Sequence, residues 1–192
     1  MKSVTHIAPP NVEPVSLTEA KLHLRIDHSD EDSYIAGLIV AARRLAEKRT
    51  GRSFITQTWA LTMDAFADPD VVELRRGPVQ SVDHFRVYDA DDTAETVAAT
   101  AYRLDGEGAY PRLTRRGAAS WPRPGRRASG IEIQYRAGFG DAPTDVPQDV
   151  RQAILTLVAH LYERREILSE RRLYEAPPAF SALLAPYMAV RI

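Results

Sequence analysis

The sequence predicts an α+β fold, and three observations carry that prediction. Apolar residues recur with a helical period near the start of the 192-residue chain. The middle breaks into short alternating segments separated by turn residues. A long amphipathic helix then returns near the end. Helices, then strands, then a helix and a tail argue for α+β rather than for βαβ units. The expected architecture is a small helical bundle from N- and C-terminal helices, with an inserted antiparallel β region and an extended C-terminal tail. The boundaries read as an extended arm at 1–15, a bundle from 16–52 and 145–168, a β region at 53–140 and a docking tail at 169–192.

Each element has its own local signal. The arm is rich in proline. "SLTEAKLHLRI" opens with Ser16 and Glu19 at capping-box spacing, which predicts a short helix over about 17–25. In "SYIAGLIVAARRLAEKRTG", Ile35, Leu38, Ile39, Ala42, Leu45 and Ala46 share a helical face, and Gly51 stands where a C-terminal cap belongs. "ITQTWALTM" alternates, with Ile55, Gln57, Trp59, Leu61 and Met63 on one side and Thr56, Thr58 and Thr62 on the other. "VVEL", "VDHFRVYD", "AYRL", "PRLT" and "GIEIQYRA" are further strand candidates, punctuated by "RRGPV", "DADD", "DGEG" and "PRPGRR". They suggest an antiparallel meander or a small sandwich. Val150, Ala153, Ile154, Leu157, Val158 and Leu161 line one face of the last long helix. Asp145 and Gln148 have capping-box spacing, and Pro147 is read in its first turn. Pro177 and Pro178 interrupt any helix beyond it, leaving "AFSALLAPYM" as one short helix.

Composition excludes several classes. Hydrophobic residues make up 44% and charged residues 27%, as in an ordinary globular chain. The net charge of −1 creates no whole-chain attraction to nucleic acid or anionic membrane. Without cysteine there is no disulfide, no thiolate catalysis and no Cys-ligated zinc. No apolar run approaches the roughly 20 residues of a membrane span, and the N-terminus lacks the apolar core of a signal peptide. A soluble protein, made and assembled in the cytoplasm, is the expectation.

The candidate chemical sites are weak. "GFGDAPTDVP" follows a strand and precedes a helix, the order of many phosphate-binding loops. It carries Asp141 and Asp145, with Asp149 just beyond, and no lysine. Those acids would repel a phosphate but suit the start of a helix. "DHSDED" at 27–32 offers oxygen ligands without EF-hand spacing, its glycine or its distal glutamate. The histidines, at 6, 23, 28, 84 and 160, form no HExxH motif, and neither a GxSxG elbow nor an SxxK pair occurs. No catalytic residue, metal or cofactor is therefore assigned. A hydrolase with a dispersed site remains as an alternative.

Arginine supplies nearly all the positive charge, since lysine occurs only at 2, 21 and 48. Paired arginines suit ion pairing between subunits, where the rigid guanidinium fork outperforms lysine. Arg123, Arg126 and Arg127 in "RPGRR" sit at an expected hairpin tip and could touch a phosphate backbone or a neighbouring protein. This gives a second alternative, a DNA-binding or packaging accessory protein. The C-terminal segment mixes Leu173, Tyr174, Phe180, Leu183, Leu184, Tyr187 and Met188 with prolines. Such a segment either folds back on the core or docks into a partner.

Two stretches resemble a known family. "EPVSLTEAKLHLRIDHSDEDSYIAGLIVAARRLAEKRTGRSFITQTW" is similar to the start of tailed-phage head–tail connector proteins of the HK97 gp6-like type. The similarity is closer to the longer phiE125 gp8-like subgroup, which includes adaptors of gene transfer agents. "YRAGFGDAPTDVPQDVRQAILTLVAHLYERRE" and the "PP…LLAPY" tail match as well. The two blocks cover roughly 13–60 and 131–188.

The resemblance implies a helical bundle with an inserted β region. It also implies a structural role in a virion or phage-like particle assembled in the bacterial cytoplasm. Such adaptors form a homo-oligomeric ring, commonly of twelve subunits, beneath the portal protein. They link it to a stopper or tail-completion protein, and DNA passes through the channel without sequence-specific binding. No membrane partner is implied. In related adaptors the C-terminal segment docks on the portal, which here corresponds to about 173–192, with Phe180, Leu183, Leu184 and Tyr187 as anchors. The family supplies no catalytic residues.

Overall fold

A computed structural model describes residues 1–107, 110–117, 120–164 and 176–188. The chain forms two compact units and passes between them three times. One unit comprises Met1–Pro10 and Thr56–Phe139, the other Asn11–Ile55 and the described residues from Gly140 onward.

The first unit is all β. Strands β1 (Lys2–Ala8), β2 (Gln57–Met63), β4 (Val79–Tyr88), β5 (Ala94–Thr96) and β8 (Ile131–Ala137) form a five-stranded antiparallel sheet in the order β1-β2-β8-β4-β5. Strands β3 (Val71–Glu73), β6 (Tyr102–Asp105) and β7 (Arg112–Arg115) form a second sheet, ordered β3-β7-β6. This is the sandwich alternative, because the order is not that of a meander and both sheets feed one core. The period-2 alternation of β8 explains its central place: Ile131, Ile133, Tyr135 and Ala137 are buried, while Glu132, Gln134 and Arg136 point to the other face. Trp59, Leu61 and Phe85 meet them from β2 and β4, and Leu113 meets them from β7. Burial of each such side chain is worth about 1.5–3 kcal/mol. Phe85 and Trp121 pack with ring centroids 5.3 Å apart, and Phe66 stacks on Trp121 at 5.8 Å. The Tyr135 hydroxyl donates to the Arg75 carbonyl at 2.9 Å, and burial pushes its phenol up to about 12.

The start of the chain differs from the sequence reading. Residues 1–15 were expected to form an extended arm, yet Lys2–Ala8 is the edge strand β1, registered with Lys2 opposite Met63. His6 stacks on Trp59 at 4.4 Å, which ties β1 to the sheet. The remainder, Asn11 to Val15, belongs to the second unit, where Val15 is buried. The short strand β5 also carries no sequence signal. It is held by a turn in which the Asp89 carboxylate accepts from the N–H groups of Asp91 and Thr93, both at 2.9 Å.

The second unit is helical. Helix α1 (Leu17–Leu24) begins with the expected capping box: Glu19 N–H donates to Ser16 Oγ at 3.2 Å, and Ser16 N–H donates to Glu19 Oε2 at 2.9 Å. Helix α2 (Asp32–Thr50) ends at Gly51, whose φ of 70° suits glycine at that cap. Helix α3 (Gln148–Glu163) buries Val150, Ala153, Ile154, Leu157 and Val158. Helix α4 (Pro178–Leu184) packs on α3 and runs into a 3-10 turn, Ala185–Tyr187.

Two local expectations fail here. Leu45 is 41% exposed, because the inward stripe of α2 runs through Ile35, Ile39, Ala42 and Ala46 and continues into Arg43, Glu47 and Thr50. The Asp145–Gln148 capping box is absent as well. Asp145 closes a separate 3-10 turn, Pro143–Asp145, by accepting from Ala142 N–H at 2.9 Å. Pro147 stands just before α3, and Gln148 instead accepts from Arg151 at 3.2 Å.

Candidate docking surfaces

The helical unit is organised around a buried charged cluster that the sequence reading missed. Arg43 donates from Nε to Glu13 Oε2 at 2.6 Å and from Nη1 to Glu47 Oε2 at 2.8 Å. Its side chain is 4% exposed and that of Glu47 8%. The second Glu47 oxygen accepts from Phe54 N–H at 3.0 Å. Burial alone would favour loss of the Arg43 proton, but Glu13 and Glu47 outweigh it and raise its pKa. One guanidinium thereby joins α2 to the strap before α1 and, through Glu47, to the chain leaving α2. The i,i+4 spacing of Arg43 and Glu47 was the available signal.

The C-terminal segment is held on the same unit. Arg52 donates to the Tyr187 carbonyl at 2.8 Å. Phe180 and Leu184 are fully buried. The residues proposed from sequence therefore separate into groups. Phe180 and Leu184 are buried within the chain, where α4 packs on α3. Leu183 and Tyr187 are half-buried, and Met188 is 39% exposed. Leu173 and Tyr174 lie outside the described residues.

The arginine-rich segment is not a hairpin tip. It lies in the irregular connection between β7 and β8, where Gly125 N–H donates to the Tyr88 carbonyl at 2.8 Å. Arg126 is engaged within the unit, paired with Asp92 and lying 3.9 Å over the Tyr88 ring. Arg123 and Arg127 are exposed. No structured basic groove is formed from these three.

The other sequence candidates have local partners. In the 27–32 loop, Lys21 pairs with Asp32 at 2.7 Å, His28 lies 3.7 Å from Asp30, and Glu31 accepts from Tyr162. No group of three metal-ligating side chains converges among the described residues. Nor is any described helix long and apolar enough to cross a membrane. In the "GFGDAPTDVP" loop a Cβ on Gly140 would lie 2.1 Å from Asp145 Oδ2. The space that a phosphate oxygen would need is filled by the chain's own carboxylate. On β4 and β8, His84 Nε2 lies 2.7 Å from Glu132, whose other oxygen is 3.4 Å from the Tyr88 hydroxyl.

The β sandwich of the first unit lies between α2 and α3 in the sequence, except for strand β1, which precedes α1. Comparison with known proteins gives one family-model match and several similar structures. The family model for phage gp6-like head-tail connector protein matches residues 14–101. A chain in the neck of an empty gene transfer agent particle, solved with C6 symmetry, is similar over 99% of this chain and 97% of its own, with 27% identity and a TM-score of 0.84. A chain in the virion of a native gene transfer agent particle is 28% identical, with a TM-score of 0.82 over 98% and 96% of the two chains. A third, from a native neck solved with C12 symmetry, is 28% identical, with a TM-score of 0.75 over 100% and 97%. No curated protein matches. Residues 14–101 thus resemble the gp6-like head–tail connectors, and the chain shares its α+β fold with chains of the gene transfer agent neck.

Proposed function

We propose that this chain is a structural adaptor that forms a closed ring in the neck of a phage or gene transfer agent particle, between the portal and a stopper or tail-completion protein. DNA passes through the ring without sequence-specific contacts, and assembly takes place in the bacterial cytoplasm. The observation that supports this most is the near-complete coverage of a neck chain on both sides of the comparison, 99% and 97%, inserted sandwich included. The net charge of −1 is consistent with DNA sliding past without sticking.

The portal-facing surface in this reading is Leu183, Tyr187 and Met188, the outward part of the C-terminal segment. Removing all of 173–192 would strip Phe180 and Leu184 from the core, so it is a poor test of docking. A point change is cleaner. Met188→Glu should leave the folded chain intact and prevent its retention on purified portal-containing heads. Undiminished retention would move the docking surface elsewhere.

A further inference from the structure

The second unit contains a basic pocket that its own described residues leave unfilled. A cavity of about 510 Å³ is lined by Arg49 at the end of α2, His160 and Arg164 at the end of α3, and Pro177, Pro178 and Ser181 at the start of α4. Arg49 and Arg164 have no acidic partner among the described residues, whereas Arg43 and Arg151 in the same unit are both paired. Burial, and then the charge of Arg164, hold the His160 imidazole below its usual pKa, with Glu163 opposing them. Arg49 and Arg164 are exposed and His160 is half-buried, so the pocket is open to an incoming carboxylate, which the two guanidinium groups attract. Guanidinium groups recognise carboxylates through two parallel hydrogen bonds.

A matching acidic group lies at the opposite end of α2. Asp27 and Asp30 are exposed in the 27–30 loop, with the Asp30 side chain 88% exposed and His28 Nδ1 3.7 Å from it. At 1.5 Å per residue the length of α2 separates this loop from Arg49 by roughly 25 Å, so it cannot reach the pocket of its own chain. A closed ring needs two different, complementary surfaces on each subunit. We propose that the Arg49–His160–Arg164 pocket binds a carboxylate of Asp27 or Asp30 from a second copy of this chain, joining the basic end of α2 in one subunit to its acidic start in the next. This rests on the ring reading above and names the contact that sets its register.

The chain has no cysteine, so an engineered pair supplies the only thiols. Ser29→Cys with Ser181→Cys places one thiol in the loop and one in the pocket. In particles treated with a mild oxidant, this double variant should give a ladder of covalent oligomers, and each single variant should give none beyond a dimer. Separately, Arg49→Glu with Arg164→Glu should lower ring formation at least tenfold, and adding Asp27→Arg and Asp30→Arg should restore it. If the chain is present in purified necks but the ladder is absent, or if the fourfold reversal does not restore rings, the inference is overturned. Loss of duplex DNA binding in the Arg49→Glu, Arg164→Glu variant without any ladder would assign the pocket to phosphate instead and also overturn it. Absence of the chain from necks would instead count against the ring reading itself.

Discussion

Replacing Arg43 with methionine should be among the most damaging single changes in the helical unit. Methionine keeps much of the side-chain volume and removes the charge. It leaves Glu47, whose side chain is 8% exposed, without the guanidinium charge beside it, while Glu13, at 26%, can still reach water. Removing one partner of a buried ion pair costs about 3–5 kcal/mol, because the remaining charge is desolvated without compensation. That is a large part of a total stability of about 5–15 kcal/mol. With a urea dependence of about 2 kcal/mol per molar, the midpoint should fall by roughly 2 M. Adding Glu47→Gln should recover most of the loss, since the amide oxygen still accepts from Phe54 and no charge is stranded beside it. The assay is urea unfolding followed by circular dichroism at 222 nm, which reports the helices. Both tryptophans lie in the sandwich, so their fluorescence reads the other unit. A loss below about 1 kcal/mol, or no recovery in the double variant, would refute the claim that this cluster organises the unit.

Other outcomes follow from the same geometry. Phe180→Ala should cost about 3–5 kcal/mol by circular dichroism, whereas Met188→Glu should cost under about 0.5 kcal/mol; equal effects would contradict the split between core and surface. Gly140→Ala should destabilise by about 1–3 kcal/mol because its methyl meets the Asp145 carboxylate, and Asp145→Ala in the same chain should relieve part of that cost. The Glu19 carboxyl is held below its ordinary value chiefly by the Ser16 N–H, with burial opposing and the Ser16 hydroxyl and Arg151 assisting. A depressed folded pKa gives stability that is present above the unfolded value and lost as pH falls through the folded one. Glu19→Gln should therefore weaken the protein at neutral pH and flatten the acid limb of its stability curve; an unchanged acid limb would argue against the capping role.

What could be read from sequence was what depends on near neighbours. The Ser16–Glu19 box, the Gly51 cap, the alternation of β2 and β8 and the stripe of α3 are each set within one or two turns of chain. The missed features are set at a distance. Strand β1 pairs with residues fifty or more positions away, and the prolines beyond it dominate the local signal. Arg43 and Glu47 are buried by contacts with Glu13 and Phe54, which lie on other segments of the chain. Asp145 had two turns available, and the close approach of Gly140 accompanies the 3-10 turn rather than the helix cap. The apolar residues of the C-terminal segment suit a core or a partner equally well, and in the folded chain Phe180 and Leu184 are buried. The proposed role comes from likeness to known proteins, because an adaptor carries its function in surfaces rather than in a catalytic motif.

The most direct test is a cryo-electron reconstruction of the neck in particles whose copy of this chain carries a small C-terminal label. The account predicts a closed ring of labelled subunits, twelve in number, directly beneath the portal and around the DNA channel. Particles with intact necks that lack the labelled chain, or that hold it outside the neck, would contradict it.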